Sequence, residues 1–146
     1  MPRLNKGLLR QKLAELAQYL DELEPLSTSN LDEYQADYVT RHAIEKLIEL
    51  IVETASDINR HILETSGATP PTSYFSTFDE MGKLGILPKS LAIRLASTTG
   101  LRNRLVHGYE KIEHQIVFRS VRPLIRDYRQ YFVRINDHIQ SEDAGE

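Results

Sequence analysis

The segment from Leu31 to Glu64 contains neither proline nor glycine, and it limits the possible folds of this chain more than any other feature. Its apolar residues recur every three or four positions, the spacing that aligns them on one face of an α-helix. They are Val39, Ala43, Ile44, Leu47, Ile48, Ile51, Val52, Ala55, Ile58 and Ile62. A helix of this length is long for a globular domain. We therefore expect it to form the spine of a helical bundle or the contact face of a dimer, with Asn30 as its N-cap and Gly67 just past its end.

Apolar spacing predicts further helices on both sides of this segment. The predicted ranges are Leu4–Leu23, ended by Glu24-Pro25, then Tyr74–Lys83 with Ser73 as its cap, a helix from about Lys89, and His114–Ile139. No stretch alternates apolar and polar residues as a half-buried strand does. The sequence therefore predicts an all-α bundle of four or five helices. We expect a single domain over residues 1–146, with 141–146 as a frayed polar tail.

Composition narrows the classes of function. The chain has 146 residues and no cysteine, which excludes a disulfide framework and a thiolate metal site. The N-terminus lacks the apolar run of a signal peptide, and no apolar stretch is long enough to span a bilayer, so we expect a cytoplasmic protein without a membrane partner. There is no His-x3-His pair and no glycine-rich phosphate loop, and we therefore expect neither a metal nor a cofactor.

Charge is distributed unevenly along the chain, although the net charge is only -3. Residues 1–88 carry 8 Lys and Arg against 14 Asp and Glu, whereas residues 89–134 carry 10 against 3. A basic part within an acidic chain indicates an anionic ligand. Charge complementarity between helices, or across a dimer, explains the same pattern equally well.

The stretch from Gly100 to Tyr109 lies in this basic part and mixes two arginines, an asparagine, a histidine and a tyrosine. Histidine exchanges a proton near neutral pH, and the planar fork of arginine matches phosphate oxygens. If the stretch is helical, Arg102, Asn103, His107 and Tyr109 share a sector of about 160°. Leu101 and Leu105 then point toward a core. The preceding Thr98-Thr99-Gly100 predicts a kink or break in the helix.

These residue types suit cleavage of RNA, which supplies its own nucleophile in the 2′-hydroxyl group. Cleavage without a metal needs a base, a cation at the phosphate and an acid for the leaving oxygen. We assign His107 as the base and Arg102 as the phosphate clamp. Asn103 and Arg104 are candidate phosphate contacts, and Asn103 can alternatively orient the histidine. One chain offers no clear acid.

The pattern Arg102-Asn103-x-x-x-His107-x-Tyr109 resembles the R-x4-6-H signature of the HEPN ribonucleases, and with its tyrosine it is similar to the HepT branch. Two other segments look like the same family, namely Glu53-Thr54-x-x-Asp57-x-Asn59-x-His61 and Tyr74-Phe75-x-x-Phe78-x-x-Met81-x-x-Leu84-Gly85-Ile86-Leu87-Pro88. The resemblance covers roughly residues 5–140.

The resemblance implies a HEPN-type antiparallel helical bundle that dimerises, so that His107 of a second copy supplies the acid. It also implies the toxin of a type VII-like toxin–antitoxin system. In that system a cognate MntA-like nucleotidyltransferase antitoxin neutralises the toxin by transferring AMP from ATP onto the motif tyrosine, here Tyr109. The implied partners are therefore RNA, this antitoxin and a second copy of the chain.

Structural explanations of the same residues remain open. His107 can be a helix-terminal histidine beside Gly108, and Arg102 and Arg104 can be solvated or paired with Glu110. Asp57 and His61, four residues apart, can border the cleft, orient His107, or form an ordinary surface or interhelical pair. The chain would then be a non-catalytic helical module that binds a nucleotidyltransferase and presents its substrate, or a helical dimer of unknown use.

Overall fold

The computed structural model describes residues 3–67, 71–108 and 113–144, with the side chains of residues 143 and 144 excepted. The described residues form six α-helices and no strand, which confirms the predicted all-α class. The helices are α1 (Lys6–Leu26), α2 (Leu31–Ala36), α3 (Tyr38–Thr65), α4 (Tyr74–Lys83), α5 (Lys89–His107) and α6 (His114–Ala144).

Helix α3 is the spine of the bundle, as the sequence predicted. It packs against α1, α2, α4 and α5, while α6 covers α1, α2 and α5 on the other side of the core. Most of its apolar stripe is buried, including Ile44, Ile48, Ile51 and Ile58, whereas Val39 near its start is exposed. Burial of this stripe removes apolar area from water and supplies the main favourable free energy of folding.

The predicted single helix over Leu31–Glu64 is wrong, because α2 ends at Ala36 and α3 begins at Tyr38. Asp37 adopts an extended conformation between them and caps α3, since its carboxylate accepts hydrogen bonds from the Thr40 backbone N–H at 3.1 Å and the Thr40 hydroxyl at 2.7 Å. An aspartate side chain that bonds to nearby backbone groups in this way competes with the hydrogen bonds of a continuous helix. The split raises the number of helices from the expected four or five to six.

Two helices extend beyond their predicted ends. Helix α1 continues past Glu24-Pro25 to Leu26, where the Ser27 hydroxyl donates to the Glu24 carbonyl at 2.6 Å and Leu26 packs against the core. Helix α6 includes residues 141–144, which were expected to fray, and the Ser141 hydroxyl donates to the His138 carbonyl at 2.8 Å.

Helix α5 shows no break at Thr98-Thr99-Gly100, so the predicted kink is also wrong. The Thr98 and Thr99 hydroxyls each donate at 2.6 Å to a carbonyl three residues earlier, on Leu95 and Ala96. Their polar groups are therefore satisfied within the helix, and Thr99 is buried. The predicted caps are confirmed, because Asn30 and Ser73 each accept a backbone N–H at the start of α2 and α4.

Candidate active site

The last two turns of α5 carry Arg102, Asn103, Arg104 and His107. The helix ends at His107 because Gly108 takes a left-handed conformation with φ 62°, and the Gly108 N–H donates to the Arg104 carbonyl at 3.2 Å. This conformation costs glycine little and other residues more. Leu101 and Leu105 pack against the core, as predicted, so the polar side chains lie on the other side of the helix.

Arg102 is held by two other helices. Its Nη2 and Nε donate to the same carboxylate oxygen of Glu53 on α3, at 2.7 and 3.2 Å. Its guanidinium also lies over the ring of Tyr74 on α4, with Cζ 4.6 Å from the ring centroid. The charge-assisted hydrogen bonds and the cation–π contact both fix the plane of the guanidinium. With its side chain only 14% exposed, Arg102 is a preorganised cation and not a mobile surface arginine.

Tyr74 is itself positioned by a buried polar network. The Thr77 hydroxyl donates to the Tyr74 carbonyl at 2.7 Å and accepts from the Asn59 amide at 3.1 Å. The Tyr131 hydroxyl of α6 lies 2.7 Å from Asn59 Oδ1 and 3.0 Å from the Ala55 carbonyl. Burial raises the pKa of Tyr131 well above its ordinary value, so this hydroxyl remains a donor. The network thus connects α3, α4 and α6 behind the arginine.

Asn103 extends the site toward solvent. Its Oδ1 accepts from Arg102 Nη1 at 3.1 Å, and no other described residue accepts from its Nδ2. Asn103, Arg104 and His107 are all exposed. The end of α5 therefore presents one fixed cation, one amide and one exposed cation beside an exposed histidine. This is a set of groups that can bind a phosphodiester and exchange a proton.

Tyr109 and Glu110 lie outside the described residues. The predicted sector that placed Tyr109 beside Arg102 assumed a helix through Tyr109. The left-handed Gly108 ends that helix, so the helical spacing cannot be carried past it.

Sequence reasoning missed Glu53 and Tyr74 as site residues. Both belong to the two segments that resembled the family, and that was the available signal. The interhelical explanation of Asp57 is supported, because its carboxylate pairs with Lys12 of α1 at 3.7 Å.

Across residues 3–67, 71–108 and 113–144, no group of three or more histidines and acids is placed to hold a metal ion. No helix in these ranges is long and apolar enough to cross a membrane.

Known proteins are similar to this chain in sequence. A family model described as ribonuclease HepT-like matches residues 16–135. A tRNA nuclease HepT from Aphanizomenon flos-aquae is 33% identical over 139 residues, or 95% of each chain. An mRNA nuclease HepT from Shewanella oneidensis is 23% identical over 99 residues, which cover 68% of this chain and 74% of the relative.

The fold has a counterpart among solved structures. A tri-AMPylated HEPN toxin of Shewanella oneidensis, in complex with MNT antitoxin, superposes with a TM-score of 0.82 at 20% identity, covering 94% of this chain and 99% of the other. The chain therefore has the helical fold of that HEPN toxin. The chain belongs to the HepT-like ribonuclease family, which confirms the resemblance inferred from the motif.

Proposed function

We propose that this chain is the toxin of a toxin–antitoxin pair and cleaves RNA without a metal ion, using Arg102 and His107. The observation that carries the proposal is the fixed guanidinium of Arg102, held by Glu53 and Tyr74 on the helix that ends at His107. These contacts give the guanidinium one orientation, as a phosphate clamp requires. Toxins that act on RNA work where cellular RNA is, so we place the protein in the cytoplasm.

In the proposed reaction, His107 takes the proton of the 2′-hydroxyl, whose oxygen attacks the adjacent phosphorus. Arg102, assisted by Asn103 and Arg104, stabilises the negative charge that grows on the phosphate oxygens. The bond from phosphorus to the 5′ oxygen breaks, and that oxygen takes a proton from His107 of a second copy in a homodimer. The products are a 2′,3′-cyclic phosphate and a 5′-hydroxyl.

We further propose that a nucleotidyltransferase antitoxin silences the enzyme by AMPylating Tyr109. The tyrosine oxygen would attack the α-phosphorus of ATP and release pyrophosphate. The added adenylate brings negative charge and bulk close in sequence to Arg102 and His107, where it competes with RNA phosphate. The tri-AMPylated HEPN toxin of Shewanella oneidensis supports this regulation. Mass spectrometry should find AMP on the wild type after incubation with the antitoxin and ATP, and none on Tyr109→Phe.

The decisive test is incubation of unmodified protein with total RNA in EDTA. We expect cleavage by the wild type and loss of cleavage in folded Arg102→Ala and His107→Ala variants. Matched controls on α6, Arg134→Ala and His138→Ala, should cleave normally. Absence of cleavage by wild-type protein that carries no AMP would overturn the nuclease proposal.

A non-catalytic module that presents substrate to a nucleotidyltransferase is the second candidate. The ion pair between Arg102 and Glu53 favours it, because an arginine paired at 2.7 Å can serve structure alone. Expression of the chain alone in cells distinguishes the two candidates. A nuclease should arrest growth, and the His107→Ala variant should not, whereas a non-catalytic module should not arrest growth in either form.

A further inference from the structure

The exposed face of α6 carries a row of arginines that the proposed mechanism does not use. Arg119, Arg122, Arg126 and Arg129 follow one another at intervals of three and four residues, so they project from one side of the helix. We propose that the N-terminal part of this row, with the grooves beside it, binds the phosphodiester backbone of the RNA strand. This proposal rests on the proposed RNA cleavage, and it names where the substrate outside the cleaved bond is held.

Ion pairs divide the row into two parts. Arg129 donates to Asp21 at 2.9 Å and to Glu24 at 3.0 Å, so its charge is more than balanced by α1. In contrast, neither Arg119 nor Arg122 forms an ion pair with any residue in the described ranges. Free positive charge is therefore concentrated in the first turns of α6, next to the connection from α5.

Between these two parts, one carboxylate is shared by two arginines. Asp127 is buried and accepts from Arg94 Nε of α5 at 3.1 Å and from Arg126 Nε at 3.4 Å. The Nη groups of both arginines form no hydrogen bond with other described residues. One positive charge thus remains uncompensated at this point, and four Nη groups are available to an anion.

Of the grooves beside the row, two are lined by Arg119. The groove between α5 and α6 has a volume of about 350 Å³ and is lined by Arg94, Leu101, Arg119 and Arg126 among others. The groove between α6 and the linker from α1 to α2 has a volume of about 430 Å³ and is lined by Arg119, Arg122 and Glu33 among others. Arg122 Nη2 donates there to the Ser27 carbonyl at 3.5 Å. Arg119 lines both grooves. Arginine side chains are among the usual contacts of proteins with phosphate oxygens.

The α5–α6 groove and the candidate active site share helix α5. Leu101, which lines the groove, directly precedes Arg102 in the chain. We therefore place the cleaved phosphate at Arg102 and the neighbouring part of the strand on the arginine row. The row would bind RNA through charge and not through base sequence.

Fluorescence anisotropy with a labelled, mixed-sequence 2′-O-methyl RNA tests the proposal, because this probe cannot be cleaved through its 2′ position. Arg119→Ala/Arg122→Ala should weaken binding about tenfold at low salt and reduce the slope of log Kd against log salt by about 1.4. Arg134→Ala removes one charge from the same helix away from both grooves, and it should change Kd less than twofold. Arg119→Lys/Arg122→Lys keeps the charge and should retain most of the binding.

The outcomes separate this proposal from the nuclease proposal. An unchanged salt slope in the double alanine variant overturns the RNA-binding row, as does equal weakening by Arg134→Ala. Loss of binding to the nucleotidyltransferase antitoxin, or of the dimer in light scattering, with RNA affinity intact, also overturns it and assigns the row to a protein interface. If the wild type binds RNA through the row but cleaves none in EDTA, the nuclease proposal fails and the RNA-binding row stands.

Discussion

At the scale of single residues, a side chain's contacts either stabilise the fold or cost free energy. Arg102 has an acid on one side and an aromatic face below it, which favour one orientation. Tyr34 of α2 is fully buried against α6, yet its hydroxyl has no hydrogen-bond partner among the described residues. The contacts of Arg102 hold its charge in place for the proposed chemistry. The unpaired hydroxyl of Tyr34 costs free energy, which the packing of its ring must offset.

Glu53 is predicted to position Arg102 without touching substrate. Glu53→Gln removes the charge that holds the guanidinium, so we expect kcat for RNA cleavage to fall about tenfold while KM changes little. Glu64→Gln, at the exposed end of the same helix, is the matched control and should leave both constants unchanged. A rise in KM alone would instead assign Glu53 to substrate binding, and circular dichroism should confirm that both variants fold.

Tyr34→Phe is predicted to be neutral or stabilising, since it removes an unsatisfied buried hydroxyl and keeps the ring against Phe118. The same substitution at Tyr131 should destabilise the fold by about 1–3 kcal/mol, because it leaves Asn59 without its donor. Urea unfolding of the two variants checks the opposite signs.

Tyr34 should also affect stability in alkali. Burial, with a smaller contribution from Glu45, raises the pKa of Tyr34 to about 12. Above pH 10 the unfolded tyrosine loses its proton and the folded one does not, so the free energy of unfolding falls as pH rises until pH 12. Between these values the wild type should lose about 1.4 kcal/mol per pH unit more than Tyr34→Phe. Equal slopes in urea titrations would contradict this assignment.

At the scale of elements, short local interactions decide where helices stop. Asp37 separates α2 from α3, although the spacing of apolar residues predicts one helix there. Gly108 ends α5 just after His107. The threonines before Gly100 do the reverse, because their hydroxyls bond within the helix and let it continue. The length of α5 determines where the histidine stands relative to Arg102.

Gly100 and Gly108 allow a direct comparison of the effect of alanine within α5 and at its end. Gly108 has φ 62°, so Gly108→Ala should cost about 1 kcal/mol, although a Cβ there meets no atom within 4 Å. Gly100 is helical and equally open, so Gly100→Ala should stabilise by about 0.5–1 kcal/mol. Thermal denaturation measures both, and a stabilising Gly108→Ala would mean that α5 can extend beyond His107.

At the scale of the whole molecule, the proposed chemistry needs two copies, since one chain supplies a base but no acid. Mixing wild-type and His107→Ala chains under conditions that exchange subunits tests this. If both histidines act in each event, an equal mixture should retain about a quarter of the wild-type activity. Independent sites would leave about half, and light scattering should show that the variant dimerises as the wild type does.

The sequence by itself determined the all-α class, most of the helix ranges and the motif residues on α5. These follow from helical periodicity, caps and residue chemistry, which act over a few neighbouring positions. It also carried the family resemblance that the HepT-like match confirmed. The roles of Arg102, Asn103, Arg104, His107 and Tyr109 remain predictions.

Only the tertiary structure decided what surrounds Arg102. Glu53 lies 49 positions away in the chain, and Tyr74 is on another helix, so their contacts exist because α3, α4 and α5 pack together. The grooves beside Arg119 depend in the same way on how α6 lies against α5 and the linker. Periodicity specifies which face of a helix is buried, but the partner of that face depends on packing of the complete core.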